Sequence, residues 1–249
     1  MKQFSLLVLL SVCAIAGCAT QTNSAVISAT QADAILSELH DIKKLVIEQQ
    51  ATAKKATAPE VTAPVRFHDL GNDSLGAADA PVILFEFADY QCPFCRRFHE
   101  NSFPELKAKY IDTGKVRYVV RDMPLTFHDN AMPAAIATRC ASAQSKFWPV
   151  FEALFAAPAL TPELAHRVAM QAGVDAKRFD TCIGDLNVRK AIEADLAEAD
   201  RLGVTGTPGF IIAEQDGTEF VGSLVLGAQP AAVFGEKIDA LLAARDKRL

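Results

Sequence analysis

The sequence has no basic block, no uninterrupted apolar run long enough to span a bilayer, and no second close pair of cysteines or histidines. Each absence excludes something. With lysines and arginines scattered and a formal net charge of −5, nucleic acid is not expected as a partner. The apolar stretch Phe4 to Ala16 (FSLLVLLSVCAIA) falls short of the ~20 residues a spanning helix needs. Zinc sites built on CxxC use a second close pair of ligands, whereas Cys140 and Cys182 stand far apart, and the five histidines lack metal spacing. No metal and no cofactor are therefore expected.

What is present is a chain of 249 residues, half of them hydrophobic, enough for one medium domain with appendages. Lys2 followed by the short apolar stretch has the layout of a secretory signal over 1–17. Its ending, Ile15-Ala16-Gly17-Cys18, resembles the lipobox of bacterial lipoproteins. That implies lipidation of Cys18 and a lipid anchor in the cell envelope, facing the periplasm. Ala19 after Cys18 favours the outer membrane over the inner. The alternative is an ordinary signal peptide with a stray cysteine. Setting Cys13 and Cys18 aside leaves Cys92, Cys95, Cys140 and Cys182, an even count that suits an oxidising compartment.

Residues 18–64 divide into a tether, a helix over about 30–55, and a linker ending ATAKKATAPEVTAP. Thr30 can cap that helix, and Ile35, Leu36, Leu39, Ile42, Leu45 and Val46 recur at helical spacing. A heptad frame puts Ala32, Leu39 and Val46 at a, with Ile35, Ile42 and Gln49 at d, the lower limit of a coiled coil. Two readings stand: a helix that makes a homo-oligomer, or one docked on its own domain or serving as a stalk.

The domain at 65–249 reads as strands over Pro81–Phe87, Lys115–Val120, Gly209–Ala213 and Glu219–Val221, the last two joined by an Asp-Gly turn at Asp216-Gly217. A helix starts at Cys92, with Pro93 tolerated in its first turn, Phe94, Phe98, Leu106 and Tyr110 on one face, and a kink at Pro104. Five helical segments fill about 125–203. A last helix spans about Pro230 to Ala244. Strand, helix, strand, helical block, two strands and helix make an α/β chain: a thioredoxin-type sheet with an inserted helical subdomain, preceded by an N-terminal helix.

The chemistry centres on Tyr90-Gln91-Cys92-Pro93-Phe94-Cys95. A thiol is a nucleophile only as thiolate. Cys92, where a strand's end meets a helix's start, faces unpaired N–H groups and a positive dipole end that favour the anion. Cys95 lies one turn deeper. The spacing suits an exposed Cys92 that forms a mixed disulfide and a shielded Cys95 that resolves it. A soft-metal site with His99 as third ligand, and a structural staple, remain as alternatives; the staple closes too small a loop to constrain the unfolded chain much.

The segment FEFADYQCPFCRRFHENSFPEL, with GVTGTPGFII at 203–212, resembles the DsbA-like thiol-disulfide oxidoreductases of the thioredoxin superfamily over roughly 65–245. The resemblance implies an enzyme in which Cys92 is the nucleophile and Cys95 the resolving thiol. Thr207-Pro208 would be a cis-proline loop facing them, and Phe94 an apolar contact for unfolded substrate. Glu86, six residues before Cys92, matches a buried acid of the family that could accept the Cys95 proton; the alternative is a strand-end glutamate reaching solvent. A second disulfide in the helical subdomain would join Cys140 and Cys182, and closing ~43 residues would contribute about 4 kcal/mol. Buried free thiols are the alternative. Expected partners are cysteine-containing exported proteins and a membrane redox partner, either a DsbB-type quinone reductase or a reducing donor. Phe in place of the histidine that strong oxidants carry between the cysteines leaves oxidase, isomerase and reductase open. His128 reads as a cap or packing residue.

Overall fold

The computed structural model describes residues 28–55, 64–67 and 73–248, with side chains in the first stretch described at Ser28 and from Thr30 to Leu45. The signal segment, Cys18 and residues 56–63 of the linker lie outside the described residues. Two compact units divide the chain near Ala56.

In the first unit, helix α1 spans Ala29–Lys55. Its cap is Ser28 rather than Thr30. The Ser28 hydroxyl accepts from the Gln31 N–H at 3.3 Å, and the Gln31 side chain accepts from the Ser28 N–H at 3.1 Å. That reciprocal box satisfies two otherwise unpaired donors, and it needs the Ser-x-x-Gln spacing that Thr30 lacks. Ile35, Leu36, Leu39, Ile42 and Leu45 are exposed within this unit. No helix of the described residues is long and apolar enough to cross a membrane.

The second unit is built on a six-stranded sheet in the order β1-β6-β5-β3-β4-β2. Its strands are β1 Val65–Phe67, β2 Ser74–Leu75, β3 Val82–Ala88, β4 Val116–Asp122, β5 Gly209–Asp216 and β6 Glu219–Leu226. Central β3 pairs parallel to β4 and antiparallel to β5. Strand side chains alternate between faces, which splits the apolar run VILFEFA. Leu84 and Ala88 join a core with Phe98, Tyr118, Phe151, Phe210 and Phe234, while Ile83, Phe85 and Phe87 join a second core with Val119, Leu202 and Val204. The hairpin turn is Gly217-Thr218, one residue later than the Asp-Gly reading, because Asp216 pairs with Glu219 and the positive φ falls at Gly217.

After β3 the chain enters α2, Pro93–Asn101, with Cys92 at its N-cap and Pro93 in its first turn. The expected kink is a break: α2 ends before Ser102, a short α3 spans Phe103–Leu106, and a π turn carries Lys107–Ile111. Phe98, Leu106 and Tyr110 are buried, but Phe94 is 51% exposed and leaves that face. Arg97 lies over its ring at 5.0 Å. The insertion comprises α4 Ala131–Ser142, α5 Phe147–Ala156, α6 Pro162–Gln171, α7 Ala176–Ile183 and α8 Leu186–Arg201; α9, Ala231–Asp246, closes the fold.

Two devices tie the insertion down. Cys140 on α4 and Cys182 on α7 form a disulfide, with Cα atoms 5.7 Å apart. A buried ionic cluster joins three elements. Asp195 of α8 accepts from Arg121 Nε at 2.8 Å, from the Asp122 N–H at 3.1 Å and from Arg139. Arg139 of α4 also pairs with Asp122 at 2.5 Å. Replacing both Cys140 and Cys182 by alanine is expected to lower unfolding free energy by about 2–4 kcal/mol in urea titrations. The alkylation rate of Cys92 should stay unchanged.

Candidate active site

The site forms where β3 hands over to α2. The residues between them, Asp89 to Gln91, make a tight turn in which the buried Asp89 carboxylate holds four donors. Oδ1 accepts from the N–H groups of Gln91 at 2.7 Å and Cys92 at 3.1 Å. Oδ2 accepts from the Leu125 N–H at 2.8 Å and lies 2.8 Å from His128 Nδ1. The Gln91 side chain accepts from the Asn130 N–H at 2.7 Å. The cysteine turn is thus laced to the loop that enters the insertion. Aspartate suits such a turn because its carboxylate bonds backbone N–H groups one to three residues on.

Cys92 and Cys95 are free thiols, and both are buried. The expectation of an exposed Cys92 is corrected: it is 3% exposed, because the loop at the cis Thr207-Pro208 bond lies against it. Its Sγ donates to the Thr207 carbonyl at 3.4 Å. The Cys92 thiol is lowered to about 5. Its hydrogen bond with Cys95 has the largest influence, the Thr207 side chain and the N–H groups of Cys95 and Phe94 add to it, and burial opposes them. The helix-end N–H groups foreseen from sequence contribute, but the neighbouring sulfur contributes more. Cys95 moves the other way: burial pushes its thiol well above the ordinary range, aided by the bond to Cys92 and by the Glu86 charge. The two sulfurs are thus pushed apart, one favoured as anion and the other as thiol.

Glu86 is fully buried rather than reaching solvent. Its Oε2 accepts from the Tyr118 hydroxyl in a short hydrogen bond, and His99 Nε2 lies 3.1 Å from that oxygen and 3.2 Å from Oε1. His99 therefore faces Glu86, not a metal position beside the two cysteines. Among the described residues, no group of three or more metal-ligating side chains gathers. Sequence reading passed over Asp89, although it immediately precedes the Tyr90–Cys95 motif, three residues before Cys92. An aspartate just after a strand and just before a capped helix was the available signal. It also passed over Phe127, 73% exposed, which stands between Leu125 and His128, two of the four residues that bond to the Asp89 carboxylate.

Residues 70–221 match the family model described as Thioredoxin. The crystal structure of Wolbachia pipientis alpha-DsbA1 superposes with a TM-score of 0.64 at 30% identity, covering 72% of this chain and 96% of that one. A putative protein-disulfide oxidoreductase of Rickettsia typhi is 30% identical over 177 residues, 67% of this chain and 63% of the relative. The Na(+)/H(+) antiporter NhaA 3 of Salinispora tropica is 34% identical over 139 residues, 55% of this chain and 21% of the antiporter. The chain thus spans about a fifth of the antiporter and just under two thirds of the Rickettsia protein.

Proposed function

The chain belongs to the DsbA-like thioredoxin family, and from that membership we propose that it is an exported thiol-disulfide oxidoreductase exchanging disulfides through Cys92 and Cys95. The observation that carries this reading is the opposed pair of sulfurs. Cys92 is held toward thiolate at a helix tip by Cys95 and the N–H groups of Cys95 and Phe94, and Cys95 is held as thiol one turn deeper.

The geometry runs the exchange in two steps. Cys92 thiolate attacks a substrate disulfide; one substrate sulfur leaves with the bonding electrons and the other stays on Cys92. Cys95 then loses its proton and attacks Cys92, and the second substrate sulfur departs as thiolate. The pair is oxidised and the substrate reduced; the reverse sequence delivers a disulfide. Thr207 and Pro208 shape the wall against Cys92, and exposed Phe94 with Phe127 offers apolar contact to unfolded chain. Glu86 is the proton acceptor for Cys95, and the Cys140–Cys182 bond is structural.

The finer reading places the protein in the bacterial envelope, facing the periplasm and anchored through a lipidated Cys18, in the outer membrane rather than the inner. A DsbB-type quinone reductase or a reducing membrane donor recharges it. The exposed row from Ile35 to Leu45 favours a second reading, an isomerase or reductase whose α1 helices assemble copies so that several sites meet one substrate. Three assays test these readings: insulin reduction by dithiothreitol, reoxidation of reduced RNase, and recovery of scrambled RNase. Acceleration of the first or second is expected. No acceleration in any of them would overturn the enzyme reading and leave a soft-metal-binding envelope lipoprotein. Recovery of scrambled RNase selects the isomerase.

A further inference from the structure

The proton that Cys95 gives up must leave the molecule, and Glu86 has no exposure of its own. Its two partners differ. Tyr118 is sealed in the core. His99 is 9% exposed at its side chain and lines a cleft of about 270 Å³ between α2 and α5. Aromatic rings hold the imidazole in place: Phe155 stacks on it at 4.4 Å, and Phe151 and Phe103 flank it at 5.0 and 5.1 Å. The charged residues lining the cleft are Arg96 and Glu100 from the same helix and Glu152 from α5. Of these two partners of the carboxylate, His99 is the one that lines this cleft.

We propose that His99 carries the proton between Glu86 and the cleft, so that the Glu86–His99 pair is the route by which Cys95 is deprotonated and reprotonated. The inference rests on the reading of Glu86 given above. In ring closure, the Cys95 thiol passes its proton to Glu86 as its sulfur bonds to Cys92 and the substrate sulfur leaves with the electron pair. Glu86 passes the proton to His99 Nε2, and the ring sheds its other proton to water in the cleft. The count balances: one S–S bond forms, one breaks, and one proton reaches solvent. His99 is a positioning and relay residue, since it touches neither sulfur.

The test reacts reduced protein with glutathione disulfide, followed by acid quenching and mass spectrometry. Capture of glutathione by Cys92 is second order; its release by Cys95 is first order. His99→Gln and His99→Ala are expected to slow release about a hundredfold, the usual scale of general acid–base help, while capture keeps its native rate. Imidazole added to His99→Ala should enter the space left beside Glu86 and restore most of the loss. Native release rates in either variant, or a slow His99→Ala that imidazole does not accelerate, would overturn the proposal. If His99→Ala does not fold, His99→Gln decides through its pH profile, and a profile identical to the native one overturns the relay. Glu86→Gln separates the two layers. Native release in that variant defeats the Glu86 reading too; slow release beside a native-rate His99→Gln defeats only the relay.

Discussion

Cys92→Ala is expected to bring insulin reduction and RNase reoxidation down to the rate of buffer alone, while Cys95→Ala retains capture and accumulates mixed disulfides. The asymmetry follows from the opposed thiols: only Cys92 is an anion near neutral pH, and only Cys95 can displace what it has bound. The same physics sets a pH signature in the native reduced protein. With Cys92 at about 5, against 9.0 for a free cysteine, its thiolate predominates at pH 5.5 whereas a free thiol is almost wholly protonated. The low pKa also weakens each thiolate, by a Brønsted slope of about 0.4–0.5. The two effects together leave Cys92 alkylated by iodoacetamide about 25- to 60-fold faster than free cysteine at pH 5.5. Near pH 7 they almost cancel, so the slightly acidic range is where to measure. A rate at pH 5.5 equal to that of glutathione would remove the nucleophile from the scheme. Linkage gives the sign for stability. The folded pKa lies below the unfolded one, so the stabilisation of the reduced form is full above pH 9 and is lost as pH falls through about 5.

Asp195→Ala should cost about 3–5 kcal/mol, the range for removing one partner from a buried ionic cluster, and should leave a marginal or unfolded protein. Asp195 accepts from Arg121, Arg139 and the Asp122 N–H. Its loss takes one carboxylate from each of two guanidinium groups in a region where Asp122, raised to about 6 by burial, is a poor substitute counter-charge. It also removes the ionic ties that hold α8 to β4 and to α4. Urea denaturation monitored by circular dichroism gives the measurement. A loss below about 1 kcal/mol, the scale of exposed pairs, would show the cluster to be solvated. Arg139→Met, which removes one cation and leaves Asp195 its other partners, should cost less than Asp195→Ala.

The central architecture was legible because it rests on local signals. Apolar runs of strand length, a Pro just past a cap position, and glycines at Gly173 and Gly203 mark elements without knowledge of their partners. The edges were not legible. β1 and β2 have three and two residues, too few to show a period, and exist through pairing with β6 and β4. β6 was read as ending at Val221, whereas it runs through Gly222 to Leu226. In the sheet a Cβ at Gly222 would come within 2.4 Å of the Ile212 carbonyl and 2.7 Å of Ala213; the glycine admits the neighbouring strand. The two cysteines, the resemblance-derived Thr207-Pro208 loop and Glu86 were all visible in the sequence. The partners of Asp89 were not. Leu125 and His128 lie more than thirty residues away along the chain, and no spacing rule links a turn aspartate to them.

That same aspartate sets the backbone of the reactive turn from outside the segment that bears the sulfurs. One carboxylate grips the Cys92 N–H with one oxygen and the threshold of the insertion with the other. A substitution that shifts how the helical insertion sits therefore moves a charge close to the reactive atom. The seat of the reactive turn therefore depends on the 124–130 loop as well as on the YQCPFC segment itself.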